Sequence, residues 1–265
     1  MTDHKLIVLI PHYNNIDGLK TSLASIREDF NVDVLVVDDG SKIVPRLEEL
    51  NLCFSKGQLY LEVLTKNMGI EHALNHGLNK IKKLNYQFIG RLDSGDICHI
   101  NRFKIQLDYL LKNPEIKLLG TQLNYISPQN EILYKSNLPT SYEKLKKTFY
   151  INCEIIHPTV IFNAEVIDSV GLYPTNYKAA EDYGFFFKIL KVFKSENLDI
   201  VLLDKIVDDN AISVLNRRVQ IKSKIKIIKD NFYLGILPVY GIFRNIISLC
   251  IPYKVLLSIK KILFK

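Results

Sequence analysis

The chain has little that could hold it together covalently or through a structural metal. Its four cysteines, Cys53, Cys98, Cys153 and Cys250, lie far apart and form no C-x-x-C pair. Neither a zinc site nor a disulfide framework is signalled, and a reducing cytoplasm fits best. No low-complexity tract occurs and no Pro/Gly/Ser-rich linker divides the 265 residues, so the chain reads as folded throughout. An export signal is not expected, because the apolar run in MTDHKLIVLIPHYNN is too short for a signal-peptide core and Pro11 ends it. The G-x-G-x-x-G fingerprint is absent after the first apolar run, and no G-x-x-x-x-G-K-[ST] occurs anywhere. Dinucleotide-dependent enzymes and P-loop NTPases therefore lose most of their standing.

What is present suits one large α/β domain with an appendage: 48% of the residues are hydrophobic and 24% charged. Lys5 to Ile10, Val32 to Val37, Leu59 to Leu64 and Tyr86 to Leu92 are β-rich apolar runs. Between them lie helical spacings, Leu19/Leu23/Ile26/Phe30 after a cap at Asp17 and Ile70/Ala73/Leu74/Leu78/Ile81. A further helix is marked by Phe103, Leu107, Leu110 and Leu111, with Asn101 as its cap and Pro114 as its stop. Alternation of this kind predicts a mainly parallel sheet covered on both faces. Beyond residue 115 the pattern is less regular, with strands near Leu118 to Ile126 and Thr159 to Phe162 and helices near Ala164 to Val170 and Asp182 to Phe193.

In a parallel sheet the loops at the strand C-terminal ends converge on one crevice. Here they read His12-Tyr13-Asn14-Asn15, Asp38-Asp39-Gly40-Ser41, Lys66-Asn67-Met68-Gly69 and Asp93-Ser94-Gly95-Asp96. Taken singly, each is also an ordinary turn composition. In order, I-P-H-Y-N-N, V-V-D-D-G-S, N-M-G-I-E-H-A-L-N-H-G, G-R-L-D-S-G-D-I, H-P-T-V (from His157) and A-E-D-Y (from Ala180) resemble the family-2, GT-A-fold inverting glycosyltransferases, from about Leu6 to about Ser213.

That resemblance implies a nucleotide diphosphate sugar donor. Pro11, Tyr13, Asp38 and Asp39 would hold its base and ribose, since an ionised Asp accepts from an imide N–H or a hydroxyl. Asn67, Gly69 and the amide of Asn75 would wall the pocket. Tyr13 could alternatively pack at the sheet edge. The Asp93-Ser94-Gly95-Asp96 segment is similar to the family's D-x-D metal motif, with Gly95 standing where an acid is usual. Mg²⁺ or Mn²⁺ would then be held mainly by Asp96, with Asp93 orienting metal or ribose, because such an ion needs few protein oxygens. Arg91 is placed at the donor, with an internal ion pair to one of these acids as the alternative. His157 either lines the site or is a buried structural histidine. The resemblance makes Asp182 the catalytic base and Glu181 a neighbouring hydrogen-bonding acid, against a helix-capping role for the pair.

The net charge of +7 sits in the tail, where residues 211–265 carry eleven Lys or Arg against Asp230 alone. Basic residues alternate there with aliphatic ones, including Lys254 to Lys265, the composition of an interfacial helix on an anionic membrane and not of a nucleic-acid surface. Two regions follow: a catalytic domain at 1–210 and a membrane-associating helical tail at 211–265, with a core-packed hairpin or a homodimer interface as the competing roles of the tail. The expected setting is the inner face of the plasma membrane of a bacterium, in surface-polysaccharide or lipopolysaccharide O-unit assembly, with a glycan or lipid-linked oligosaccharide as acceptor. A nucleotide-sugar-binding membrane adaptor without catalysis, suggested by Gly95, is the alternative function.

Overall fold

The computed structural model describes residues 5–207 and 216–251. Its first half follows the periodicity of the sequence: β1 (Leu6–His12), α1 (Ile16–Ser25), β2 (Asp33–Asp38), a short α2 (Leu47–Asn51), β3 (Leu59–Val63), α3 (Ile70–Leu84) and β4 (Phe88–Arg91). These strands lie side by side in the order β3-β2-β1-β4, all parallel. On β1, Ile7 and Leu9 enter one apolar layer, while Leu6, Val8 and Ile10 enter the other. Such alternation belongs to a strand buried on both faces. Ala73, Leu74, Leu78 and Ile81 of α3 close the first layer, and Leu19 and Leu23 of α1 close the second.

The second half turns the sheet mixed. Its elements are β5 (Ile97–Cys98), α4 (Arg102–Lys112), β6 (Ile116–Ile126), β7 (Ile132–Lys135), α5 (Tyr142–Thr148), a 3-10 turn at His157–Thr159, β8 (Ile161–Asn163), α6 (Val166–Val170), α7 (Glu181–Val192) and β9 (Lys194–Ile206). β8 inserts antiparallel between β4 and β6, β9 runs parallel to β6, and β5 pairs antiparallel with β9 at the edge. β7 pairs with β6 off the main path.

Two helix starts differ from the sequence expectation. The side chain of Asn15, not Asp17, caps α1, accepting from the Gly18 N–H at 3.2 Å. Asn101 precedes α4 in a left-handed conformation without a side-chain cap bond. Buried Glu28 caps that helix from outside, accepting from the N–H groups of Phe103 at 2.9 Å and Lys104 at 3.0 Å, which satisfies donors that the helix itself cannot.

In the tail, α8 (Arg217–Asp230) and α9 (Ile236–Cys250) form an antiparallel hairpin, tied by the Arg217 guanidinium donating to the Ser248 carbonyl. α8 belongs in part to the core, contrary to a purely external tail. Ile227 and Ile228 are fully buried in the layer that contains Phe185 and Phe186 of α7, and Ser223 donates to the Lys178 carbonyl at 2.7 Å. α9 docks through Asn245, whose amide donates to the Ile151 carbonyl at 3.1 Å. Its other side leaves Ile236, Val239, Tyr240, Phe243, Ile246 and Ile247 exposed, a stripe at helical spacing. No helix among the described residues is long and apolar enough to cross a membrane. The expected basic-aliphatic segment from Lys254 to Lys265 lies outside the described residues.

Candidate active site

Because β1, β2 and β4 are parallel, their C-terminal ends deliver three of the polar loops to one place. The Asp39 N–H donates to the His12 carbonyl at 2.8 Å, which docks the second loop on the first. Asp38 is fully buried, and its carboxylate is engaged by His12 Nδ1 at 2.7 Å and by the Ser41 hydroxyl and N–H at 2.5 and 3.0 Å. It therefore fixes the loops and does not face a nucleotide as the sequence suggested. Asp39 accepts from the N–H groups of Met68 and Gly69, both at 2.9 Å, and burial raises its carboxyl above the usual range. Gly40, at φ +68°, lets the 66–67 backbone lie against it where a Cβ would collide. Tyr13 and Asn67 are exposed and Pro11 and Gly69 are half-buried, so this rim is open to a ligand. The Asn75 amide is turned away, clamped on the backbone of Tyr173 by two 2.9 Å bonds.

The fourth loop is a tight turn in which the Asp96 N–H donates to the Asp93 carbonyl at 3.1 Å. Gly95 sits in it at φ +108°, a conformation that strains any side-chain-bearing residue. This backbone requirement accounts for the missing acid. Ser22 of α1 locks the turn, its hydroxyl donating to the Asp96 carbonyl at 2.8 Å and accepting from the Gly95 N–H at 2.9 Å.

Cations already hold both acids. Arg91, fully buried, donates to Asp93 at 2.6 Å, to the Leu92 carbonyl at 3.1 Å, to the Leu9 carbonyl, and through Nε to His157 Nε2 at 3.1 Å. The internal ion pair, the alternative role for Arg91, is the contact its buried guanidinium makes. Lys205 near the end of β9 places Nζ 3.1 Å from Asp96 Oδ2 and 3.6 Å from Asp93 Oδ2. Burial alone would raise Asp93, but the charges of Lys205 and Arg91 outweigh it and hold that carboxyl at about 2. For Asp96 burial wins, with Asp93 adding to it, and its carboxyl rises to about 6 despite Lys205. His157 is kept well below its ordinary value by burial and then by Arg91, so it is neutral. Its Nε2 also meets the Tyr173 hydroxyl at 2.9 Å. It is a buried structural link, not a solvent-facing ligand.

Glu181 and Asp182 open α7. Glu181 is 6% exposed, its Oε2 has no hydrogen-bond partner, and burial together with the Asp182 charge raises its carboxyl to about 8. Asp182 is half-buried, and its Oδ1 accepts from the Tyr183 N–H at 2.7 Å. Burial raises it as well, with the Tyr183 N–H opposing. The His157 ring, bonded to Arg91, packs against Phe186 of α7 at 5.7 Å, which sets the helix opened by Glu181 and Asp182 beside the Arg91–Asp93 pair.

The glycosyl transferase family 2 model matches residues 7–171, well over half of the chain. The chain belongs to glycosyl transferase family 2. This family-2 chain is 31% identical over 183 residues to UDP-Gal:alpha-D-GlcNAc-diphosphoundecaprenol beta-1,3-galactosyltransferase of Escherichia coli, covering 65% of the chain and 62% of that protein. It spans only 32% and 28% of two longer curated relatives. Among solved structures it superposes on residues 1–349 of S. aureus TarS in complex with UDP-GlcNAc, with a TM-score of 0.64 at 18% identity over 92% of this chain and 73% of that one. Mannosyltransferase PcManGT from Pyrobaculum calidifontis, in complex with GDP-Man and Mn²⁺, gives 0.64 at 14% identity over 96% and 72%. At such identities the likeness is one of fold.

Asp93 and Asp96, expected as metal ligands, are paired with Lys205 in this glycosyltransferase. No group of three or more His, Cys, Asp or Glu side chains that could hold a metal occurs among the described residues, and a divalent cation would have to displace Lys205. Lys205 and Tyr173 were not legible as site residues. Lys205 reaches the turn only because β9 pairs with β6, Lys205 opposite Tyr125, and with β5, Asp204 opposite Ile97. No local motif marks it.

Proposed function

We propose that this glycosyltransferase moves a hexose or N-acetylhexosamine from a UDP-linked donor to a lipid-linked glycan acceptor, with inversion at the anomeric carbon, in bacterial surface-polysaccharide or O-unit assembly. The observation that carries the reading is the acid pair that opens α7, a helix joined through Phe186, His157 and Arg91 to the Asp93–Asp96 turn beside the ends of β1, β2 and β4. Tyr13, Pro11, Asn67 and Gly69 form the open nucleotide rim, with Asp39 holding the 68–69 backbone in place.

Asp182, the more accessible acid, takes the proton of the acceptor hydroxyl as that oxygen bonds to the anomeric carbon. The bond from that carbon to the diphosphate oxygen breaks, and its electron pair leaves with the diphosphate. Glu181, protonated at neutral pH, donates a hydrogen bond to the acceptor. No step is assigned to Mg²⁺ or Mn²⁺, which would have to compete with Lys205 for Asp93 and Asp96. The Escherichia coli relative, named for transfer from UDP-Gal onto a diphosphoundecaprenol-linked GlcNAc, supports both donor and acceptor class. Asp182→Asn is expected to fold and bind UDP yet lose transfer by about 10²- to 10⁴-fold. Near-normal turnover by that variant would remove Asp182 from the chemistry.

The acceptor class fits the α9 stripe. The same hairpin exposes Leu234 in its connection and Arg218, Lys222, Lys226, Lys229 and Arg244 on its two helices. An anionic bilayer on the inner face of the plasma membrane satisfies both the charge and the apolar area. The chain should co-sediment with phosphatidylglycerol vesicles and be released only in part by salt, which screens charge but not insertion. A concentration-dependent dimer that ignores vesicles would overturn this and assign the stripe to a second copy of the chain.

A further inference from the structure

The acid pair of the β4 turn has a counterion of its own. Lys205 Nζ lies 3.1 and 3.4 Å from the two oxygens of Asp96 and 3.6 Å from Asp93 Oδ2. Its side chain is 31% exposed, against 27% for Asp93 and 7% for Asp96, so solvent reaches the lysine where it meets the pair. Asp204, next along the strand, points to the other side, where it meets His99 and Asn124, both at 2.9 Å, and leaves Lys205 uncompensated by its neighbour.

We propose that Lys205 is the built-in countercharge for the donor diphosphate, so that donor binding proceeds without a metal ion. Arg91 and Lys205 together balance the two carboxylates of the turn. A diphosphate approaching the crevice thus meets no excess negative charge. An ammonium has three N–H groups; Lys205 shares them between the Asp96 oxygens and the more distant Asp93 Oδ2, and an arriving phosphate oxygen would take the place of that longer Asp93 contact. Removing Lys205 leaves the turn net negative and repels the diphosphate. It also frees two hard oxygen donors, the ligand class that Mg²⁺ and Mn²⁺ prefer. The inference rests on the donor assignment above.

The test is calorimetric titration of UDP into the whole chain, in chelator and in Mn²⁺, for the native protein, Lys205→Met and Lys205→Arg. Native affinity should agree within about threefold between the two buffers. Lys205→Met should weaken binding in chelator by roughly tenfold to a hundredfold, the scale of one unscreened charge at a partly exposed site, and Mn²⁺ should restore it. Lys205→Arg should stay close to native in chelator. Because removing Lys205 leaves Asp96 buried without a partner, Lys205→Met/Asp96→Asn serves as a folded control: it should bind UDP in chelator better than Lys205→Met. Native binding seen in Mn²⁺ alone, or Lys205→Met binding like native in chelator, would overturn the inference and leave the donor assignment standing. Failure of the native chain to bind UDP in either buffer would overturn both.

Discussion

Glu181 offers a measurable consequence of burying an acid with one of its oxygens unpartnered. Its carboxyl ordinarily titrates near 4.5 and is raised to about 8 by burial and by Asp182. Between those values the folded chain holds a proton that the unfolded chain has released. Stability therefore falls as pH rises, by about 1.4 kcal/mol per pH unit for one proton. The contribution is complete below pH 4.5 and lost as pH passes about 8, a change on the order of 5 kcal/mol over the window. Glu181→Gln keeps the shape and cannot ionise, so this slope vanishes for it. Urea midpoints measured from pH 5 to 8.5 should separate progressively, the variant ending higher by roughly 1.5 M at an m-value of about 3 kcal/mol/M. Asp96 and other groups titrate in the same interval, but they are common to both proteins and largely cancel in the difference. A difference that stays constant with pH would show that Glu181 ionises normally and would refute its burial-driven protonation.

Gly95→Ala should lower stability by about 1–3 kcal/mol through backbone strain alone, since its added Cβ would meet only the Asn15 amide, at 3.4 Å; a thermal melt equal to native would contradict the assigned turn. Gly241→Val should lever α9 from the body, because any Cβ there collides with the Tyr150 carbonyl, at a cost of about 1–3 kcal/mol. Limited proteolysis should then cut the hairpin in the variant while UDP binding persists.

The legibility of the chain followed the range of its contacts. β1 to β4 and α3 carry their periodicity locally, and the sequence located them to within a few residues. Which acid of Asp38-Asp39 faces inward depends on strand pleat and on His12 and Ser41, and the pattern D-D-G-S does not encode it. β9 was missed because its Lys-Ser-Glu-Asn start and Asp204-Lys205 end are polar, and its pairing with β6 is broken by register shifts at Ile116/Leu118, Thr121/Gln122 and Gln122/Asn124. The tail looked external because its charge is unmistakable. Burial of Ile221, Ile227 and Ile228 needed the surface of α7, which only the fold supplies.

Strand order also dictates a timetable. β5, at residues 97–98, pairs among the described residues with β9 alone, which is synthesised about a hundred residues later. Pairings that close so long a loop form late. A nascent chain that has emerged only through α7 has laid down Asp93 and Asp96, but the lysine that faces them has yet to arrive. Arrival of the thirteenth and last strand residue, Ile206, just past Lys205, therefore finishes sheet and site together: a polypeptide interrupted before that point would be left with an open edge at β6 and an acidic crevice with no welcome for a diphosphate.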